Sequence, residues 1–356
     1  MTVPNERTAR EKSLLLLLPK VDLHVHLDGS VKPETLKALA LEQAKPLPIA
    51  SDSELQDRMK VSRHNENLKQ YLATFSFVLP YLQSGAALER IAYEVVEQAA
   101  GQRVKYIEVR FAPQLHRQMG LSIHDVIHHV VKGLRLGEQA FGTMARAIII
   151  CLRSHSYEWN KAVIEEAGRF YNHGVVAVDL AGDEASFPAA LFRSLFDEAR
   201  HLGLPITIHA GEAAGADNVR VAVTELGASR IGHGVRMLED HSVMQLVKER
   251  QIPLEMCPLS NIQTKAVPGW EVYPIRRYLD DGIAVTVNTD NLTVSDTTIL
   301  KEYELLMEHC SLTLTDIGKI IMNGVRAAFL VKEEKERLIA QFEKEFSDLG
   351  LDVEAR

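Results

Sequence analysis

Cysteine is scarce in this chain. Its 356 residues include only three, Cys151, Cys257 and Cys310. Their odd number and wide spacing exclude a disulfide framework and a CxxC-type zinc knuckle, and suit a reducing, cytoplasmic compartment. Long apolar runs are missing too: nothing approaches the roughly 18 consecutive apolar residues that a membrane helix needs. The greasiest stretch near the N-terminus, Leu14 to Leu18, stops at Pro19 and lacks the basic start and small-residue cleavage site of a secretion signal. It is expected to be a lead-in that packs on the core. There is no basic excess. The 40 Lys+Arg against 48 Asp+Glu give a formal charge of −8 with histidine neutral, which argues against non-specific DNA or RNA binding. Low-complexity tracts, linkers and repeats of roughly 20 to 50 residues are likewise absent.

What is present is ordinary globular composition, 46% hydrophobic and 25% charged, enough for a sizeable core. Short β-branched runs alternate with longer helical patterns. Eight runs read as strands: Val21–His26, Val104–Phe111, Ala145–Leu152, Val175–Leu180, Pro205–Ala210, Arg230–Gly234, Ile252–Cys257 and Ile283–Asn288. Such alternation implies an α/β fold with parallel strands, and eight units predict closure into a (β/α)8 TIM barrel. The whole chain, 1–356, is expected to be one domain with its barrel over about 20–300. A helical insertion after the first strand, about 33–101, would cap the mouth, and further helices would follow over about 300–347. The first 18 residues and Ser347–Arg356 read as peripheral wrapping or frayed ends.

Histidine is plentiful, with 14 in the chain, and several fall at strand ends, where barrel enzymes build their active sites. His24 and His26 share one face of the first strand, because side chains alternate with period two. His209 to Glu212 closes the fifth strand, Gly232-His233-Gly234 the sixth, and Asn288 to Asn291 the eighth. Three imidazoles, one carboxylate and a water make a catalytic zinc site. A nearby imidazole and carboxylic acid complete the parts for metal-assisted hydrolysis of a C–N bond.

The runs Val21-Asp22-Leu23-His24-Val25-His26-Leu27-Asp28-Gly29, Asp179-Leu180-Ala181-Gly182-Asp183-Glu184, His209-Ala210-Gly211-Glu212, Arg230-Ile231-Gly232-His233-Gly234, Cys257-Pro258-Leu259-Ser260-Asn261 and Asn288-Thr289-Asp290 closely resemble, in order, the adenosine deaminase family of the metal-dependent amidohydrolases. The resemblance implies a zinc barrel that converts adenosine, and 2′-deoxyadenosine, to the inosine product and ammonia. It implies that His24, His26, His209 and Asp290 hold one Zn2+. Glu212 would protonate purine N1, and His233 would orient and deprotonate the attacking water. Gly182 would offer its N–H to N3, and Asp28 would bind the ribose hydroxyls. Asn291 departs from the family pattern, which has a second acid there facing N7; an amide keeps a donor at any pH. Tyr71, Leu72 and Phe75, a helical cluster in the insertion, read as core packing, and the resemblance adds a lid over the purine, with Tyr71 and Phe75 touching substrate.

The remaining residues carry plainer expectations. Neither the fourth strand nor the one before it contains the lysine that bridges two metals in related hydrolases, so one metal is expected. Asp179, Glu255 and Ser260 are expected to hold the ligands from behind. Arg110 and Arg153 are expected to form ion pairs near the mouth, and Cys257 to be a small buried apolar group. His124, His128 and His129 lack the glutamate of an HExxH motif and read as helix surface. The partner is a small-molecule substrate, with neither nucleic acid nor membrane involved; oligomeric state is not legible. Two other readings compete: a deaminase of adenine, a methylated AMP or a modified nucleoside, and a catalytically inactive barrel used for binding or signalling.

Overall fold

The computed structural model describes residues 6–62 and 64–351. Eight parallel strands run in chain order: β1 (Lys20–His26), β2 (Val104–Phe111), β3 (Met144–Leu152), β4 (Val175–Ala181), β5 (Thr207–Ala210), β6 (Arg230–His233), β7 (Leu254–Met256) and β8 (Val285–Val287). They hydrogen-bond as two four-stranded sheets, β1 to β4 and β5 to β8. Two parallel bridges, Val178 to Ile206 and Val25 to Asp290, join those sheets edge to edge. The second seam is tied by main-chain bonds in both directions: His26 N–H donates to the Asp290 carbonyl (2.6 Å) and Asp290 N–H to the His24 carbonyl (2.8 Å). The barrel is thereby closed, which leaves no free sheet edge.

β5, β7 and β8 are shorter than their apolar runs. Only Thr207–Ala210 of Pro205–Ala210, Leu254–Met256 of Ile252–Cys257 and Val285–Val287 of Ile283–Asn288 pair in register. Apolar character marks what is buried, whereas a strand extends only as far as its backbone pairs with a neighbour. Two helices, one between β2 and β3 and one after β8, start at a reciprocal cap. Ser122 and Asp125 form a reciprocal capping box at Ile123–Phe141, and Thr313 and Asp316 do the same at Leu314–Ala327.

The region between β1 and β2 divides differently from expectation. Gly85–Gly101 lies along Ile123–Phe141 and over β2, so it is the barrel's own first helix. The inserted part is 33–84, with helices Pro33–Glu42, Asp52–Met59, Leu68–Ala73 and Phe75–Val78. At the other end of the barrel a helix spans Glu6–Leu17. Of the Leu14–Leu18 run, Leu15 and Leu18 are buried, while Leu16 and Leu17 remain half exposed. Only the helix face toward the barrel packs. Buried Lys20 caps this helix by donating Nζ–H to the Leu18 carbonyl (2.8 Å). The last helix, Lys332–Asp348, takes in two residues read as a frayed end. Residues 1–5 and 352–356, also read as ends, lie outside the described residues. One apolar cluster runs from Leu15 to Phe346.

Candidate active site

The mouth of the barrel is a cavity of about 390 Å³. Its walls include His26, Asp28, Tyr71, Phe75, Gly182, His209, Glu212, His233, Asp290 and Asn291. Every candidate side chain except His24 therefore faces one space; His24 is fully buried beneath it. Two of these residues reach it at a conformational cost. His233 (φ 64°) and Asp290 (φ 59°) both occupy the left-handed region, which costs a non-glycine residue roughly 1–3 kcal/mol. Each stands where a strand ends, and the reversed backbone turns its side chain into the mouth.

The potential ligand atoms converge. His26 Nε2 lies 3.3 Å from His209 Nε2 and 3.3 Å from Asp290 Oδ1, and His24 Nε2 is 3.6 Å from the same oxygen. The hydrogen bonds behind them define which nitrogens are free. His24 Nδ1 meets Glu255 Oε2 at 2.9 Å, and His209 Nδ1 meets Asp179 Oδ2 at 2.9 Å. Carboxylates can only accept, so both rings carry their hydrogen on Nδ1 and present bare Nε2 lone pairs forward. His24 Nε2 is buried with no hydrogen-bond partner among the described residues, a costly state for an acceptor nitrogen unless a cation sits before it. His24, His26 and Asp290 form one cluster that could hold a metal ion, and His24 with His209 and His233 forms another; with His26 and His209 3.3 Å apart, three nitrogens and one carboxylate oxygen so placed fit one divalent ion. Asp290 supplies its charge: burial opposes ionisation, but the surrounding His24, His26 and His233 outweigh it and hold the carboxyl well below its usual range. Its other oxygen accepts from Ser260 Oγ at 2.6 Å.

A buried ionic network supports the ligands. Arg110 donates to Asp179 Oδ2 (2.8 Å) and Glu255 Oε2 (2.7 Å), and so joins the carboxylates behind His209 and His24. Arg230 donates to Glu255 Oε1 (2.6 Å) and also to Glu108, which accepts from the Tyr106 hydroxyl at 2.7 Å. Burial alone would raise the Glu255 carboxyl, yet Arg110 and Arg230 hold it well below the ordinary range. Arg153 departs from the ion pair expected of it. It donates to the carbonyls of Phe187 and His209 and fixes the β5 end through the main chain.

Glu212 and His233 face one another, Oε2 to Nε2, at 3.6 Å. Burial, then the charges of Asp290 and Glu184, raise the Glu212 carboxyl well above its ordinary range and favour its protonated form. Burial, reinforced by the neighbouring His24 and His209, drives His233 well below the usual imidazole value and leaves it neutral. The segment that carries Glu212 is anchored by Glu184. This buried carboxylate accepts four main-chain N–H groups, from Gly211 (2.7 Å) on Oε1 and from Glu212 (3.0 Å), Ala213 (2.8 Å) and Ala214 (3.0 Å) on Oε2. Gly182, with φ +110°, takes a conformation that side chains resist. Its N–H has no internal partner among the described residues. Burial lifts the Asp28 carboxyl to about 6.

Sequence reasoning passed over Glu184, Asn261 and Ser295. Glu184 stood inside a quoted motif, and its acidic charge beside a strand end was a signal. Asn261, whose amide nitrogen donates to His233 Nδ1 at 2.9 Å while its oxygen accepts from the Tyr273 hydroxyl at 3.0 Å, stood beside Ser260 and was not weighed. Cys257 is buried, 0% exposed, and lies near His233 and Asp290. His124 and His129 pair with Glu166 and Glu89 on the helical layer, away from the mouth.

A closed (β/α)8 barrel with this ligand set at the C-terminal ends of its strands has the architecture of a metal-dependent amidohydrolase. Two solved structures share it. An adenine deaminase from Arthrobacter aurescens superposes with TM-score 0.86 at 26% identity, covering 93% of this chain and 99% of its own. An amidohydrolase from Burkholderia ambifaria with bound Zn gives TM-score 0.87 at 26% identity, covering 98% and 95%. Residues 19–345 match the adenosine deaminase family. The adenosine deaminase of Clostridium kluyveri is 38% identical over 329 residues, 92% of this chain and 94% of that protein. The chain belongs to the adenosine deaminase family, whose members are hydrolases acting on C–N bonds.

Proposed function

We propose that this protein deaminates adenosine and 2′-deoxyadenosine to the corresponding inosine nucleoside and ammonia, with one zinc ion per chain held by His24, His26, His209 and Asp290. The observation that carries this reading is the pairing of Glu212, kept protonated, with His233, kept neutral, across 3.6 Å. Titratable neighbours driven in opposite directions mark an acid and its complementary group. Zinc bound there would supply the Lewis acidity that makes water nucleophilic near neutral pH.

The protein's own groups do the rest. Glu212 gives its proton to purine N1, which draws electron density from C6 and opens it to attack. His233 orients the attacking water through Nε2. With the Asn261 N–H on Nδ1, the neutral ring carries its hydrogen on Nε2. In the tautomer with the hydrogen on Nδ1, the Asn261 amide is turned over, so that its oxygen accepts from Nδ1–H and its NH2 donates to the Tyr273 oxygen; Nε2 then offers the lone pair that takes the water's proton. Gly182 N–H serves N3, Asp28 the ribose hydroxyls and Asn291 N7. Tyr71 and Phe75, rings 6.3 Å apart, cover the base. One domain, about 1–356, houses the whole site, and the few free thiols support a cytoplasmic setting.

The cavity wall favours a nucleoside over a nucleotide. Among the described residues it includes Asp28, Asp183, Glu212 and Asp290 but no Lys or Arg. A dianionic phosphate would meet the Asp28 and Asp183 carboxylates with no Lys or Arg side chain to offset them. Following the ultraviolet absorbance change with adenosine, deoxyadenosine, adenine and AMP, alongside metal analysis, tests the reading. Turnover of both nucleosides with one zinc per chain is expected. A preference for adenine or AMP would displace it, and zinc without turnover of any aminopurine would point to an inactive barrel.

A further inference from the structure

Asn291 is held from two sides. Its Nδ2 donates to the Tyr71 hydroxyl at 2.9 Å, and that hydroxyl lies 2.6 Å from Ser295 Oγ. All three residues are buried, and Ser295 N–H returns to the Asn291 carbonyl at 3.0 Å. On the opposite side, a Cβ at residue 29 would lie 1.8 Å from Asn291 Oδ1. Only glycine leaves room for the amide there. Among the described residues Asn291 Oδ1 has no hydrogen-bond partner, so the amide is oriented through its nitrogen. One of its two N–H groups goes to Tyr71, which leaves the other.

Tyr71 comes from the insertion helix Leu68–Ala73, and that segment is fastened to the loops after β7 and β8. Asn65 donates to the Gln263 carbonyl (2.8 Å), and Gln263 donates to the Ser295 carbonyl (3.1 Å). The phenol ring packs toward Phe75, but its hydroxyl is committed to a polar pair.

We propose that Tyr71 is a positioning residue for base recognition: by accepting one N–H of Asn291 it turns the other toward the five-membered ring edge of the purine. The enzyme is thereby selective for bases with an acceptor nitrogen at position 7. This rests on the reading that Asn291 faces N7. A tyrosine in the insertion then adds a polar duty to an otherwise apolar cover.

The test uses the metal-loaded enzyme and two competitive inhibitors, inosine and 7-deazainosine, which differ by replacement of that acceptor with C–H. The wild type is expected to bind inosine about tenfold more tightly, the size of one net hydrogen bond. Tyr71→Phe keeps the ring and should bring the ratio to about twofold or less, chiefly by weakening inosine, with metal content unchanged. Asn291→Ala should do the same, and the double variant should add nothing further. Ser295→Ala, which removes the hydroxyl's other partner, should lower the ratio and serves as a second probe if Tyr71→Phe folds poorly. A full ratio in Tyr71→Phe or Ser295→Ala, with collapse in Asn291→Ala, overturns the proposal and leaves the N7 contact standing. A full ratio in Asn291→Ala removes the underlying N7 reading, and the proposal with it.

Discussion

Replacing Glu184 by glutamine changes little volume and tests how the segment bearing Glu212 is held. The carboxylate accepts one main-chain N–H on Oε1 and three on Oε2. A glutamine oxygen can serve only one side. Turned toward the three donors, it leaves its own NH2 facing the Gly211 N–H, and one unsatisfied buried donor costs about 1–3 kcal/mol. The other three bonds lose charge assistance, about 1 kcal/mol each. The segment thus loses about 4–6 kcal/mol of positioning, and if half is felt in the transition state, kcat/KM falls by about 10²-fold. Initial rates with adenosine, read beside thermal unfolding and metal content, measure this. The pH profile gives a second readout. Glu184 is one of the charges that keep Glu212 protonated, so its loss lowers the Glu212 pKa. Donation requires the protonated acid, present below that pKa and lost as pH rises through it. The alkaline limb of kcat/KM should therefore move to lower pH. An activity within about threefold of wild type, with that limb unmoved, would refute the reasoning.

Glu212→Gln should bind nucleoside normally but lose about 10²–10⁴-fold in kcat, because an amide cannot protonate N1; near-native turnover would remove its role. His233→Ala should lose a similar factor while retaining metal, and loss of metal on dialysis would make it a ligand instead. Arg110→Met strands Asp179 and Glu255 without their shared cation, so chemical denaturation should show about 3–5 kcal/mol of lost stability. Metal retention against a chelator should weaken by about 10–100-fold. Unchanged stability and retention would show that Arg110 is not what holds the two carboxylates.

Residues on regular strands were the most legible. His24 and His26 read correctly as one-faced because a strand's period is two, and eight β-branched runs were enough to expect a closed barrel. The Gly85–Gly101 helix was harder to separate from the insertion, since barrel helices and insertion helices share the same apolar period; only packing against Ile123–Phe141 distinguishes them. Glu184 was hidden for a different reason. Its partners are four backbone N–H groups, which exist at every non-proline position and become a binding site only when the chain curls around the carboxylate. Arg153 shows the same limit, because its partners are carbonyls. Tyr71 was read by its ring, as hydropathy patterns encourage, while its hydroxyl carries the more specific contact.

The seam that closes the barrel has a consequence for how the protein is made. His24 and His26 on one side, and Asp290 on the other, are joined by the same main-chain bonds that shut the sheet. The proposed metal ligands are therefore brought together by a pairing between segments 264 residues apart in the chain. At about 5–20 residues per second, the ribosome needs roughly 13 to 53 s to deliver Asp290 after His26. During that interval the nascent chain holds an exposed HxH pair without its carboxylate partner. The proposed four-ligand set is therefore complete only once this seam has formed, so capture of an ion by all four would be tied to closure of the barrel.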